Sequence, residues 1–428
     1  MTVGARPARA PRRAPSDLTF TPDRDLVEAF AAQEPEWLAA DRRAGLALFD
    51  ELPTETNQLY TPYIDLRAAD LAEVRAFGGA DLTYPELEHP TAGVTVDFLG
   101  DWIGREPDGA RRLLADSGNL AEDDKFAQLT RAAWNQGVVI RVSAGTKVDR
   151  PIVVRWPVGD PGRALLTRTI IELEAGATAS VVEYLFGSSD ADAAQALFTG
   201  STEIVLGEGA ELALASIQDV PMNTVAFQQR RAAIGEGARL HWALAQLGGR
   251  LVRSRVDNVL QGDRSSVEQV EIVFGGEDQL FDLTSYTRHV GRDTIGNLLS
   301  KGVLLDAARA YMKGMITIDR TAIGTDSFLG EFGMNLSKKA RSVAIPSLEI
   351  DQPDCRRAAH SSSVGPIDET QLFYLESRGI PPDDARKFIV LGFLEPVVAR
   401  VPLEAERDRL RDLLEAKWTA GTEGAAAA

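Results

Sequence analysis

A short strand-and-turn motif recurs through the middle of this 428-residue chain, and that recurrence limits what the chain can fold into. The run Gly207-Glu208-Gly209-Ala210 and its apolar flanks resemble Gly235-Glu236-Gly237-Ala238 and theirs. Glu174–Ala177 and Ser143–Thr146 read as earlier copies. The shared glycines, Gly145, Gly176, Gly209 and Gly237, lie 31, 33 and 28 residues apart. Runs of β-branched and apolar residues such as Val138–Val142 and Ile152–Trp156 fill the region, with no helical period between them. A coil of roughly thirty residues cannot bury an apolar face alone, so coils of this size stack and cover one another. The repeat predicts a mainly β fold of stacked coils; a sandwich with coincidental turns is the rival from pattern alone.

The flanks have a different texture. Residues 21–53 read as helical, with Thr21 as the N-cap, Pro22 at the first helical position and Pro35 dividing the segment in two. A further helical stretch is expected over 108–134. The helical period returns after Ile350, in Asp368–Arg378 closed by Gly379, in a helix that begins at Pro381-Pro382, and in Leu403–Trp418. The expected organisation is a disordered Arg/Ala/Pro-rich tail at 1–16, a mostly helical region at 17–135, a β core at 136–350 and a helical region at 351–428. The helical ends are the candidates for capping the stack.

Composition excludes several function classes. Lysine plus arginine is 46 and aspartate plus glutamate is 63, so the net charge is 46 − 63 = −17. Such a chain is unsuited to nucleic acid or an anionic membrane. No apolar run reaches the roughly 20 residues of a membrane helix. One cysteine, Cys355, excludes an intrachain disulfide and a Cys-x-x-Cys site. The single thiol, and the lack of an apolar core in Met1–Ser16, fit a cytoplasmic protein.

The chemistry encoded is sparse. The dipeptide Gly-Lys does not occur, so there is no phosphate-binding loop, and no Gly-x-Ser-x-Gly elbow is present. The expectation is a chain that is not an enzyme. Glu203, Glu268, Glu271 and Asp282 are the acids that a β-helix carbohydrate-active enzyme could use, an alternative whose geometry the sequence leaves open. Of the four histidines, His360 has the most suggestive context, in the polar stretch Asp354–Ser363 where the β region meets the terminal helices. Cys355 lies five residues upstream. Imidazole and thiol both ligate soft transition metals; a buried, inert sulfur is the plain alternative.

From His289 onward the chain resembles the SufB/SufD family of iron–sulfur cluster assembly proteins. The resemblance rests on Asn297–Ala310, Lys313–Ile318, Gly324-Thr325-Asp326, Ile345–Ile350, His360, Asp368–Ile380 and Leu391–Leu394. Within the family it is nearest SufD. Two places depart from the usual pattern: Ala358 stands where many SufD proteins have cysteine, and Glu331–Ser337 replaces a leucine-rich run. The resemblance implies a right-handed β-helix core between N- and C-terminal helical regions. It implies a scaffold subunit that pairs with a SufB-like paralogue and binds a SufC-like ABC ATPase through its C-terminal helices. It implies a nascent iron–sulfur cluster shared at a subunit interface, with His360 at the family's ligand position and Cys355 as a substitute thiol. Phe373, Tyr374, Arg378, Phe388 and Phe393 are the residues expected at the ATPase interface. Alone, the chain is expected to pair with its own copy. A purely structural adaptor that ligates no metal is the remaining alternative.

Overall fold

A computed structural model describes residues 18–77, 84–90, 92–190 and 192–427; the tail expected at 1–16 lies outside the described residues. From Gln136 to Gly365 the chain alternates strand by strand between two parallel sheets. The first sheet runs from Gln136–Val142 through Arg163–Leu173, Ala196–Leu206, Thr224–Ile234, Leu251–Leu260, Leu280–His289 and Arg309–Ile318 to Arg341–Ile350. The second runs from Ile152–Pro157 through Thr178–Phe186, Glu211–Asp219, Arg239–Gln246, Ser266–Gly275, Ile295–Leu304 and Asp326–Asn335 to Arg357–Gly365. This is a parallel β-solenoid of about eight turns. Its register repeats the sequence period: Ser266 pairs with Ile295 and Ile295 with Asp326, steps of 29 and 31 residues.

Each Gly-x-Gly pair has two physical reasons. The corner position takes a left-handed backbone, with φ of 68° and 68° at Gly145 and Gly176, and of 63° and 62° at Gly209 and Gly237, the second glycines of the two Gly-x-Gly pairs. The column continues with Arg264, Asp293 and Gly324, at φ 59°, 55° and 78°. Each N–H in it donates to the next coil, from Gly145 to the Ala175 carbonyl at 2.8 Å through to Gly324 and the Asp354 carbonyl at 2.8 Å. The first glycine is there for closeness. A Cβ on Gly235 would lie 2.6 Å from the Leu206 carbonyl oxygen, and one on Gly262 2.0 Å from the Glu236 nitrogen.

Inward residues alternate with outward ones. Ile140, Ile171, Ile204, Ile234 and Leu260 from the first sheet meet Leu185, Leu212, Leu240 and Val273 from the second in the interior. Outside, Phe126, Leu129 and Ala132 cover Leu166, Leu197, Val225 and Phe227 of the first sheet. Val390, Leu394, Leu410 and Leu414 cover Val182, Ala215, Ala245 and Ile272 of the second.

Several expectations change. The helical regions flank the solenoid's sides rather than cap its ends. The opening end is closed by two antiparallel strands, Val94–Phe98 on Gln136–Val142 and Glu86–Glu88 on Ile152–Pro157. The strand region passes Ile350, because Arg357–Gly365 completes the last coil. The first helix, Arg24–Ala31, is capped by Asp23 rather than Thr21: the Asp23 carboxylate accepts from the N–H groups of Asp25 and Leu26 at 3.0 and 3.1 Å. Pro35 does divide the segment, ahead of Glu36–Glu51. The 108–134 stretch is broken into Pro107–Arg111, a π turn at Arg112–Asp116, and Lys125–Ala133.

Candidate functional site

The far end of the solenoid is bare. Of Arg341–Ile350 only Ser342 is buried, and no residue of Arg357–Gly365 is. Arg357–Gly365 is an edge strand, paired on one side with Asp326–Asn335 and presenting its other row of backbone groups outward. Two ion pairs hold its start: Arg356 with Asp293, and Arg357 with Asp326 at 2.7 Å.

His360 lies mid-strand and exposed. Its register partner is Leu329, a fully buried member of the last apolar cluster. Residues paired in a parallel ladder share a face, so His360 lies on the strand side that faces the interior, at the level where the interior opens. Cys355 follows Asp354, whose carbonyl accepts the last corner bond from Gly324. It thus takes the next place in the corner column, half-buried against the cluster of Leu298, Ile316, Ile318, Ala322 and Leu329. The stretch from Arg357 to His360 alone rises about 10 Å along the strand, so thiol and imidazole occupy different parts of the end. Among the described residues no three of His, Cys, Asp and Glu converge as a metal site.

Glu331, noted in the sequence only as part of an unusual run, lies one rung inward. It is 1% exposed and pairs in register with Ser362, two residues along from the His360–Leu329 pair. Its Oε2 accepts from the Ile345 N–H at 2.7 Å. Across the interior is Gly314, where a Cβ would come within 2.9 Å of Glu331 Oε1. Burial pushes the Glu331 carboxyl up to about 8, with only the Ile345 N–H acting the other way. Other buried carboxylates have cations beside them: Glu203 has Arg168, Asp282 has Lys313 and Arg253, and Asp124 has Arg253 and Arg255.

Midway along the solenoid the interior is polar. Arg230 donates to Gln228 and, at 3.3 Å, to Ser254; Gln228 donates to Gln246 at 3.1 Å, and Gln246 to Glu271 at 3.1 Å. Ser216 joins Arg230 to Glu183, at 3.0 and 2.7 Å. The visible signal for this layer was polar residues at inward positions of successive strands. The four candidate acids do not converge. Glu271 is inside, Glu203 and Asp282 are under the N-terminal helices, and half-exposed Glu268 is beside His241 at 3.6 Å. Glu203 and Asp282 are also separated by three rungs, about 14 Å of stack.

Helix Glu369–Ser377 has no buried residue. Phe373 is 72% exposed and Phe388, on Pro382–Val398, 58%. Tyr374 is exposed as well, with the Arg378 guanidinium 5.1 Å from its ring centre. Phe393 stands apart: it is half-buried against the second sheet, Lys301 lies 4.4 Å from its ring centre, and the Phe393 carbonyl accepts from Lys301 at 3.0 Å.

These features define a two-sheet β-solenoid protein with helical flanks, a bare histidine-bearing end and exposed aromatics on a C-terminal helical arm. Residues 158–393 match the family model described as the SUF system FeS cluster assembly, SufBD core domain. The chain belongs to the SufBD family of iron–sulfur cluster assembly proteins and is SufD-like. It is 29% identical over 301 residues to the iron-sulfur cluster assembly protein SufD of Bacillus subtilis, covering 70% of this chain and 68% of that protein. It is 28% identical over 396 residues to an iron-sulfur cluster assembly SufBD family protein of Mycobacterium tuberculosis, covering 89% and 94%. A SufBD family protein of Staphylococcus saprophyticus is 28% identical over 368 residues, covering 85% and 78%.

Proposed function

We propose that this chain is a non-catalytic, cytoplasmic scaffold subunit, which pairs with a SufB-like paralogue at the bare end of its solenoid and binds a SufC-like ABC ATPase on its C-terminal arm. The nascent cluster is cargo held between subunits, with His360 as this chain's contribution. The observation that carries the reading is His360 on an exposed edge strand of a SufBD-family chain. An edge strand is a template for another chain, and a partner there would bring its own ligands to His360. One thiol cannot supply the four ligands that an iron–sulfur cluster takes, which supports a shared site. Cys355, set in the apolar cluster, is the weaker candidate. Phe373, Tyr374, Arg378 and Phe388 offer the ATPase an aromatic and cationic surface, while Phe393 is half-buried against the second sheet and is the weaker candidate. Without a partner, the same end offers a two-fold contact to a second copy.

Anaerobic reconstitution of the chain with the paralogue and the ATPase tests this. His360→Ala should lower iron and acid-labile sulfide per complex while leaving the melting temperature unchanged. An equal cluster yield would remove His360 from the site.

A further inference from the structure

One cleft in the solenoid's flank is lined by cations, on a chain whose net charge is −17. It encloses about 450 Å³ between residues 65–68 of the N-terminal region and the corner where the coils enter the first sheet. Arg67, Arg250 and Arg309 line it, together with Asp65 and Asp278. The two acids are already engaged. Arg67 Nε donates to Asp65 at 2.8 Å, and Arg250 lies 3.7 Å from Asp278. Among the described residues Arg309 has no acid within ion-pair distance of its own.

The strand register sharpens this. Val225, Leu251 and Leu280 are buried and pair in one column across the first sheet. The next two members of the column are Arg309 and Arg341, both exposed. Adjacent strands set their backbones about 4.8 Å apart, and like charges directly opposite repel. Lys338 and Lys339 precede Arg341 in the same corner and add to the positive field. An anion between the strands would relieve that repulsion. Tyr311 lies two residues beyond Arg309 on the same face, within the field of Arg309 and Arg341, and its ring centre is 6.1 Å from that of Tyr63. The cleft therefore has an aromatic flank.

We propose that this cleft binds a small phosphate-bearing anion of the diphosphate class, with Arg309 as its principal ligand and Arg250 and Arg67 at its sides. Planar guanidinium groups pair their N–H donors with phosphate oxygens, and a diphosphate offers two such groups. The size of the cleft is in the range of small-ligand sites. Nothing in the proposal requires the paralogue, the ATPase or a cluster, so it stands apart from the scaffold reading.

Calorimetric titration of the full chain at low ionic strength tests it, with pyrophosphate, ADP and citrate as separate probes. Wild type should bind one pyrophosphate or one ADP per chain, and citrate at least about tenfold more weakly. Arg309→Gln should weaken both phosphate probes about tenfold or more, and Arg250→Gln several-fold. Arg320→Gln, at an exposed arginine outside the cleft, should leave affinity within about twofold. Melting curves show that each variant is folded. Arg309→Lys is a second probe, which keeps the charge and loses the planar fork, and it should bind between wild type and Arg309→Gln. Tighter binding of ADP places the phosphate on a nucleoside, and tighter binding of pyrophosphate favours a free ion; both uphold the site. No saturable binding, an equal loss in Arg320→Gln, or citrate bound more tightly than pyrophosphate overturns it.

Discussion

Glu203 accepts two hydrogen bonds from Arg168, at 2.9 and 3.0 Å, and neither side chain reaches solvent. Burial, the largest influence on the Glu203 carboxyl, holds its pKa above the ordinary value, with Asp41 acting the same way and Arg168 the other. Arg168→Met should therefore cost about 3–5 kcal/mol, because it strands a buried carboxylate. The double variant Arg168→Met/Glu203→Leu should recover most of that loss. Chemical denaturation midpoints check both; a mild single variant would mean that Glu203 is not held by Arg168.

The two glycines of each repeat should respond differently. Gly237 has φ of 62° and open space around its missing Cβ, so Gly237→Ala pays only backbone strain, about 1 kcal/mol. Gly262→Ala would put a Cβ 2.0 Å from a backbone nitrogen of the neighbouring coil. It should cost at least about 3 kcal/mol or prevent folding. Equal melting temperatures for the two variants would contradict this assignment of roles.

Glu331 makes stability fall as pH rises. Its carboxyl is raised to about 8 in the folded protein from 4.5. Between those values the unfolded chain has lost a proton that the folded chain keeps, so stability drops by about 1.4 kcal/mol per pH unit. His289, buried and bonded to Thr294 and Ser327 at 2.8 and 3.0 Å, works in the opposite sense. Burial lowers it from 6.5 to about 4, so its contribution is present above 6.5 and is lost as pH falls. The two slopes oppose each other between 4.5 and 6.5, leaving 6.5–8 as the window in which Glu331 shows. The stability difference between wild type and Glu331→Gln should slope through that window; a flat difference would refute the buried neutral carboxyl.

Phe373→Ala and Phe388→Ala should change stability by less than about 0.5 kcal/mol, because neither ring is buried. Each should nevertheless weaken association with the ABC ATPase at least tenfold, measured by calorimetry with the purified ATPase. Unchanged affinity would move the ATPase surface elsewhere.

The repeat was readable up to Gly237 and then faded, for a physical reason. The corner itself continues through Arg264 and Asp293, which take up the left-handed backbone without being glycine. The close-approach glycines persist at Gly262 and Gly291, where a Cβ would meet the Gly235 and Gly262 backbones. The corner position thus stops marking the repeat as a glycine after Gly237, while the close-approach position still does. The last coil is silent in the sequence because Arg357–Gly365, an edge strand with polar residues on both faces, lacks the apolar alternation of a buried strand. Glu331 carries no signal in the sequence, since its character lies in having no cation acting on it among the described residues, and only the fold decides which side chains meet. Phe393 looked like its exposed neighbours because helix Pro382–Val398 carries apolar residues on more than one face.

The central claim is that this chain works as one subunit of a cluster-building assembly. Native mass spectrometry of the tagged chain, purified from its own cells without oxygen, tests it most directly. The account predicts a complex containing a similar-sized SufB-like paralogue and an ABC ATPase, with iron and sulfide present. A monomer or homodimer with neither partner, under conditions where the paralogue and ATPase are expressed, would contradict it.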